Sequence, residues 1–117
     1  MNSNKPFNRV DRVEKQVLDV LSGILTKYID LTYLGFVTLT NVTMSTDLKH
    51  AKVFYSVLNP ILSENELNVE INKKRKAFKK YMGPQLHLKT IPSIRFYHDE
   101  RFTYAEEIDK LFKKSGI

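Results

Sequence analysis

The sequence contains no cysteine. That excludes a disulfide framework, a cysteine nucleophile, an iron–sulfur cluster and any thiolate zinc site, and it fits a reducing compartment. No apolar run approaches the roughly 20 residues that a bilayer span requires. The opening stretch "MNSNKPFNRVDRVEK" lacks an apolar signal core and carries acids early, so a soluble cytoplasmic protein without a membrane partner is expected. A Gly-rich phosphate loop, a GxSxG elbow and a paired-acid motif are all missing from the sequence. His50, His87 and His98 do not have metal-ligand spacing, so neither a metal nor another cofactor is expected. Internal repeats and low-complexity linkers are also missing, and the four prolines and four glycines act as punctuation. At 117 residues the chain fits one domain.

The most informative absence is local. From Ile71 to His98 there is no Asp or Glu, while that stretch holds eight Lys or Arg. The rest of the chain holds eleven bases against all thirteen acids. The net charge of +6 therefore belongs to one quarter of the sequence, the charge distribution of a surface that faces a polyanion.

Apolar spacing supplies the elements. Over residues 7–30, Val10, Val13, Val17, Leu21, Ile24, Leu25 and Tyr28 recur at three- and four-residue steps, which predicts an amphipathic helix with Pro6 at its start. Residues 34–45 are rich in β-branched side chains. Val37 and Leu39 share one parity and Val42 and Met44 the other, so a bulge is expected near Thr40–Asn41. "STDL" reads as a turn. Residues 50–58 form a second strand with Ala51, Val53, Tyr55 and Val57 on one face, antiparallel to the first. Ser63 followed by Glu66 is a capping-box pattern that starts a helix. Leu67, Ile71, Phe78 and Met82 mark the apolar stripe of that helix, and Gly83-Pro84 stops it. Residues 93–98 form a third strand. The order αββααβ predicts an α+β layer, three strands with helices on one face. The long helical connection would allow the first and last strands to be parallel neighbours. A core over about 7–100 is expected, followed by a short helical or disordered tail over 101–117.

"NKKRKAFKKYMG", residues 72–83, is the strongest local signal. At about 100° per residue, Lys73, Lys76, Lys79 and Lys80 fall opposite the apolar stripe, with Arg75 at its margin. Like charges at three- and four-residue spacing repel, and a phosphate backbone would relieve that. Lys74 falls between Ile71 and Phe78, inside the apolar arc. An unpaired ammonium is too costly to bury, so either Lys74 snorkels outward along its methylenes or the helix bends within a residue or two of it.

Three segments, "NRVDRVEKQVLDVLSGIL", "VTLTNVTMSTDLKHAKVFYSVL" and "FKKYMGPQLHLKTIPSIRFYHDE", together resemble bacterial ribosome-binding factor A from about Arg9 to Glu100. The resemblance implies a K-homology-like domain of the second type. It implies a monomeric, non-enzymatic RNA-binding factor for maturation of the small (30S) ribosomal subunit, with 16S rRNA and the free or immature 30S particle as partners. It also implies a link to rRNA processing and to growth in the cold. The family's Ala-x-Gly helix kink aligns with Lys74-Arg75-Lys76, where this sequence departs from the pattern by adding charge, and the resemblance implies a bend at Lys74. Its basic positions carry over to Arg9, Arg12, Lys79 and Lys89. Lys79 and Lys89 stand where Arg is common, so bidentate phosphate contacts would become point-charge contacts. With Lys73, Arg75, Lys76 and Lys80, these are the expected RNA-binding residues.

Two other classes compete with this reading. A basic protein-interaction module could dock an acidic partner with the same residues. A small metal-dependent nuclease would need Asp47, Asp99 and Glu100 to converge on Mg²⁺, although Asp47 is more simply a turn residue and neighbouring strand side chains point to opposite faces.

Overall fold

Val13, Val17, Leu21 and Ile24 step by three or four residues, and all four are buried along one side of helix α1, Arg9–Lys27. The structure, a computed structural model, describes residues 9–101; Pro6 and the tail after Arg101 lie outside the described residues. Tyr28, expected on the same stripe, falls beyond the helix and is 56% exposed. Its ring stacks on Tyr81 instead, with centroids 4.6 Å apart and planes 4° apart.

Asp30 accepts hydrogen bonds from the Thr32 backbone N–H at 2.9 Å and its hydroxyl at 2.6 Å, which turns the chain. Gly35 follows at φ 123°, where a Cβ would lie 2.8 Å from the Asn59 carbonyl oxygen. Only glycine fits that approach. Strand β1 then runs Phe36–Met44 and strand β2 His50–Leu58, antiparallel. Leu39 pairs with Tyr55 and Asn41 with Phe54, so Thr40 is the extra residue of a bulge. The bulge lets Leu39 and Val42 both enter the core despite their odd spacing. In the turn, Asp47 accepts from the Ser45 hydroxyl at 2.6 Å and the Lys49 N–H at 3.0 Å.

Ser63 caps helix α2, Glu64–Asn72, in a full capping box with Glu66. Helix α3 covers Arg75–Met82, and strand β3 covers Ser93–His98. The sheet order is β1–β2–β3, with β3 parallel to β2. The first and last strands, which the long connection would have allowed as neighbours, are therefore not paired. A strand–helix–strand unit closes most directly when the returning strand lies beside the strand it left, and here β3 returns to β2. Helix α1 contributes at the opposite edge of the sheet, where the Glu14 carboxylate accepts from the Met44 N–H of β1 at 2.7 Å.

The outer edge of β3 is covered by two asparagines of α2. Asn72 takes both backbone groups of Phe96: its Oδ1 accepts from the N–H at 2.8 Å and its Nδ2 donates to the carbonyl at 3.1 Å. Asn68 Nδ2 donates to the same carbonyl and to the Tyr55 hydroxyl, both at 3.1 Å. The helices therefore share one face of the sheet, and one core joins α1, α2, α3 and all three strands.

Candidate nucleic-acid interface

The apolar stripe of the fourth and fifth elements continues through a break. Leu67, Ile71, Phe78 and Met82 are all buried, but α2 ends at Asn72 and α3 begins at Arg75. Lys74 is the junction, with φ −90° and ψ 3°. Its N–H donates to the Ile71 carbonyl at 3.0 Å, and its own carbonyl accepts from Phe78 N–H at 3.0 Å. Lys74 is half-buried rather than buried, so the break brings it out of the apolar arc. Arg75 and Lys76 occupy the first turn of α3.

Arg75, Lys76, Lys79 and Lys80 are exposed on α3, and Lys73 is exposed just before it. Phe78 and Met82 fix the opposite side of that helix in the core. The first turn of α3 contains no acid, and its N-cap residue makes no side-chain capping bond. Arg75 and Lys76 therefore sit at the positive end of the helix dipole, where cations are unfavourable and an anion is favoured. Lys79 and Lys80 lie in the last turn, where cations suit the dipole.

Two of the cations have partners of their own. Lys73 pairs with Glu70 at 2.9 Å, and that hydrogen bond raises the lysine's pKa. Glu70 lies just outside the acid-free stretch, so the expectation that no acid relieves this run needs correcting at Lys73. Arg75 Nε donates to the Asn72 carbonyl at 3.0 Å and so caps the end of α2. Lys80 Nζ lies 5.6 Å from the Tyr81 ring centroid. The other expected residues belong to separate elements. Arg9 and Arg12 are exposed in the first turns of α1, and Arg12 shares a shallow groove with Asp11, Lys15 and Asp19. Lys89 is exposed in the connection before β3.

The acids of the nuclease reading do not converge. Asp47 lies in the turn next to His50, whereas the Asp99 N–H bonds the Tyr55 carbonyl at 2.8 Å. Those positions are separated by roughly 17 Å of strand. Asp99 is buried, and both its oxygens are engaged. Oδ1 accepts from the Arg101 N–H and Nε at 3.1 Å, and Oδ2 accepts from Arg101 Nη2 at 2.8 Å and Thr40 Oγ1 at 2.7 Å. The Arg101 hydrogen bonds hold its pKa down to about 2. Asp99 anchors the end of β3 to the bulge of β1.

Among the described residues, donor atoms of Glu64, His98 and Glu100 lie within 4.8 Å of one another. This is the one grouping there whose ligand types could meet a cation. His98 Nδ1 lies 3.8 Å from Glu64 and 4.0 Å from Glu100. Sequence spacing gave no sign of it, because the fold brings Glu64 from α2.

The ribosome-binding factor A family matches residues 9–112. A ribosome-binding factor A from Latilactobacillus sakei is 33% identical over 108 residues, 92% of each chain. The solution structure of a Thermotoga maritima protein, a candidate ribosome-binding factor A, superposes with a TM-score of 0.67 at 27% identity, covering 80% of this chain and 90% of that one. The Thermus thermophilus factor, as a homology model fitted into a cryo-electron microscopy map of a 30S complex, superposes with a TM-score of 0.58. It covers 74% of this chain and 90% of that one at 15% identity, a likeness of fold alone. The common fold is the K-homology-like arrangement of three strands and helices in the order αββααβ, as expected. This chain belongs to the ribosome-binding factor A family.

Proposed function

We propose that this chain is a non-enzymatic assembly factor that binds the free or immature 30S ribosomal subunit. It acts in the cytoplasm as a monomer and supports maturation of 16S rRNA, including in the cold. Arg75, Lys76, Lys79 and Lys80 contact rRNA phosphates from the exposed side of α3. Lys73, Arg9, Arg12 and Lys89 contribute from its surroundings, and the break at Lys73–Lys74 sets the angle of α3.

The observation that carries this reading is the acid-free, cation-rich first turn of a helix whose other side is locked into the core. A helix in this state is strained electrostatically and fixed mechanically, and a polyanion removes the strain without moving the helix. The names of the family's members support the ribosome as the source of that polyanion.

Reversing Lys76, Lys79 and Lys80 to Glu changes only exposed side chains. The variant is expected to fold, and to lose co-sedimentation with purified 30S particles. Unchanged co-sedimentation rejects the site. Wild-type binding that persists on a nuclease-treated, RNA-free partner would instead support the docking of an acidic protein.

A further inference from the structure

The sheet has a second face, which no described helix covers. Val53, Tyr55, Ile94 and Phe96 are buried beneath the helices, so strand alternation turns Lys52, Phe54, Arg95 and Tyr97 the other way. Parallel pairing sets Lys52 beside Arg95 and Phe54 beside Tyr97. The two rings lie 5.9 Å apart with planes tilted by 35°, and Lys52 Nζ lies 5.8 Å from the Tyr97 centroid. On β1, the residues opposite Lys52 and Phe54 are Thr43 and Asn41, both uncharged. The three strands contain no Asp or Glu at all.

Two cations side by side on adjacent strands oppose folding, and no acid on these strands offsets them. Phe54 and Tyr97 are half-buried and form a neighbouring ring pair on this face. Together these features match one ligand chemistry, in which unpaired bases stack on rings while their phosphates meet the adjacent cations. A duplex offers phosphates but keeps its bases stacked on each other. An acidic protein would match Lys52 and Arg95 but would have no use for the ring pair.

We propose that the face of the sheet left open by the described helices is a second nucleic-acid site, one that takes single-stranded RNA. Successive bases rest on Phe54 and Tyr97, and the backbone passes Lys52 and Arg95. The site is separate from the α3 surface, on the other side of the sheet, and it stands whether or not α3 binds RNA. It makes the chain a two-sided adaptor, able to hold a single strand on one side and a phosphate backbone on the other.

The test uses the full chain and a labelled oligouridine of about 12 nucleotides, with a hairpin duplex as comparison, read by fluorescence anisotropy. Phe54→Leu/Tyr97→Leu keeps the apolar cover and removes the rings. It is expected to weaken oligouridine binding by about tenfold or more while leaving the hairpin unchanged. Lys52→Gln/Arg95→Gln alters only exposed side chains, and is expected to lower the log–log salt slope for oligouridine by about one. Equal oligouridine affinity in wild type and the leucine variant overturns the proposal. Should the leucine variant fail to fold, an unchanged affinity and slope in the glutamine variant overturns it instead. A loss of 30S binding with oligouridine affinity intact also overturns it, because the face then meets a protein. Lys76→Gln/Lys79→Gln/Lys80→Gln separates the two sites. If that variant retains 30S binding while the rings still govern oligouridine, the α3 assignment fails and the sheet site stands.

Discussion

Asp99 shows how much one buried carboxylate can organise. It ties the end of β3 to Arg101 and, across β2, to the bulge residue Thr40. Its pKa is held at about 2, below the ordinary 3.8, chiefly by the Arg101 hydrogen bonds. A carboxylate depressed in the folded state stabilises the fold fully above its unfolded value, and that contribution is lost as pH falls toward the folded value. Asp99→Asn is therefore expected to cost about 1–2 kcal/mol at neutral pH. The difference from wild type should shrink between about pH 4 and pH 2. Urea unfolding at several pH values measures this, and a difference that stays constant with pH would contradict the assignment. The sequence shows an acid after a strand, but it cannot show the partner: Thr40 meets Asp99 only because β3 lies beside β2.

At the scale of elements, the most informative feature is the α2–α3 break. Ile71 and Phe78 are spaced as they would be in a continuous helix, so apolar periodicity passes through the break unmarked. Lys74 alone betrays it, as a charge in the apolar arc. The bulge in β1 was legible in the same way, from the parity change between Leu39 and Val42, and the capping box from Ser63 and Glu66. Other features were not legible. The side of the sheet that receives β3 depends on how the two helices fill the crossover. The role of Asn68 and Asn72 depends in turn on the edge of β3 that this placement leaves open. An exposed strand edge invites pairing with other chains, and Asn72 closes this one at Phe96. Asn72→Ala removes both bonds and leaves the Phe96 N–H without its side-chain partner, while Asn68 still donates to the carbonyl. A destabilisation of about 2 kcal/mol is expected in urea unfolding. A loss below about 0.5 kcal/mol would mean that the edge is satisfied in another way.

At the scale of the whole molecule, charge is sorted by surface. The acid-free stretch places its cations on α3, in its surroundings and, through Arg95, on the open face of the sheet. Among the described residues, several acids serve the fold itself: Glu14 at β1, Glu66 in the capping box, Asp99 at the bulge. Much of the candidate site could be read from the sequence, because the run over 73–80 is local and one helix displays it. Glu70 was missed as the partner of Lys73 because it lies just beyond the acid-free stretch, one turn back on α2. The open-face pair was missed because Phe54 and Tyr97 come from strands far apart in sequence, and their meeting required the β2–β3 pairing. The α3 site depends on its lysines engaging RNA phosphates. Its most direct test is the salt dependence of 16S rRNA binding, measured by filter binding for wild type and for Lys76→Gln/Lys79→Gln/Lys80→Gln. Each lysine that neutralises a phosphate contributes about 0.7–0.9 to the log–log slope, so the triple variant should bind more weakly with a slope shallower by about two to three; an unchanged slope would contradict the account.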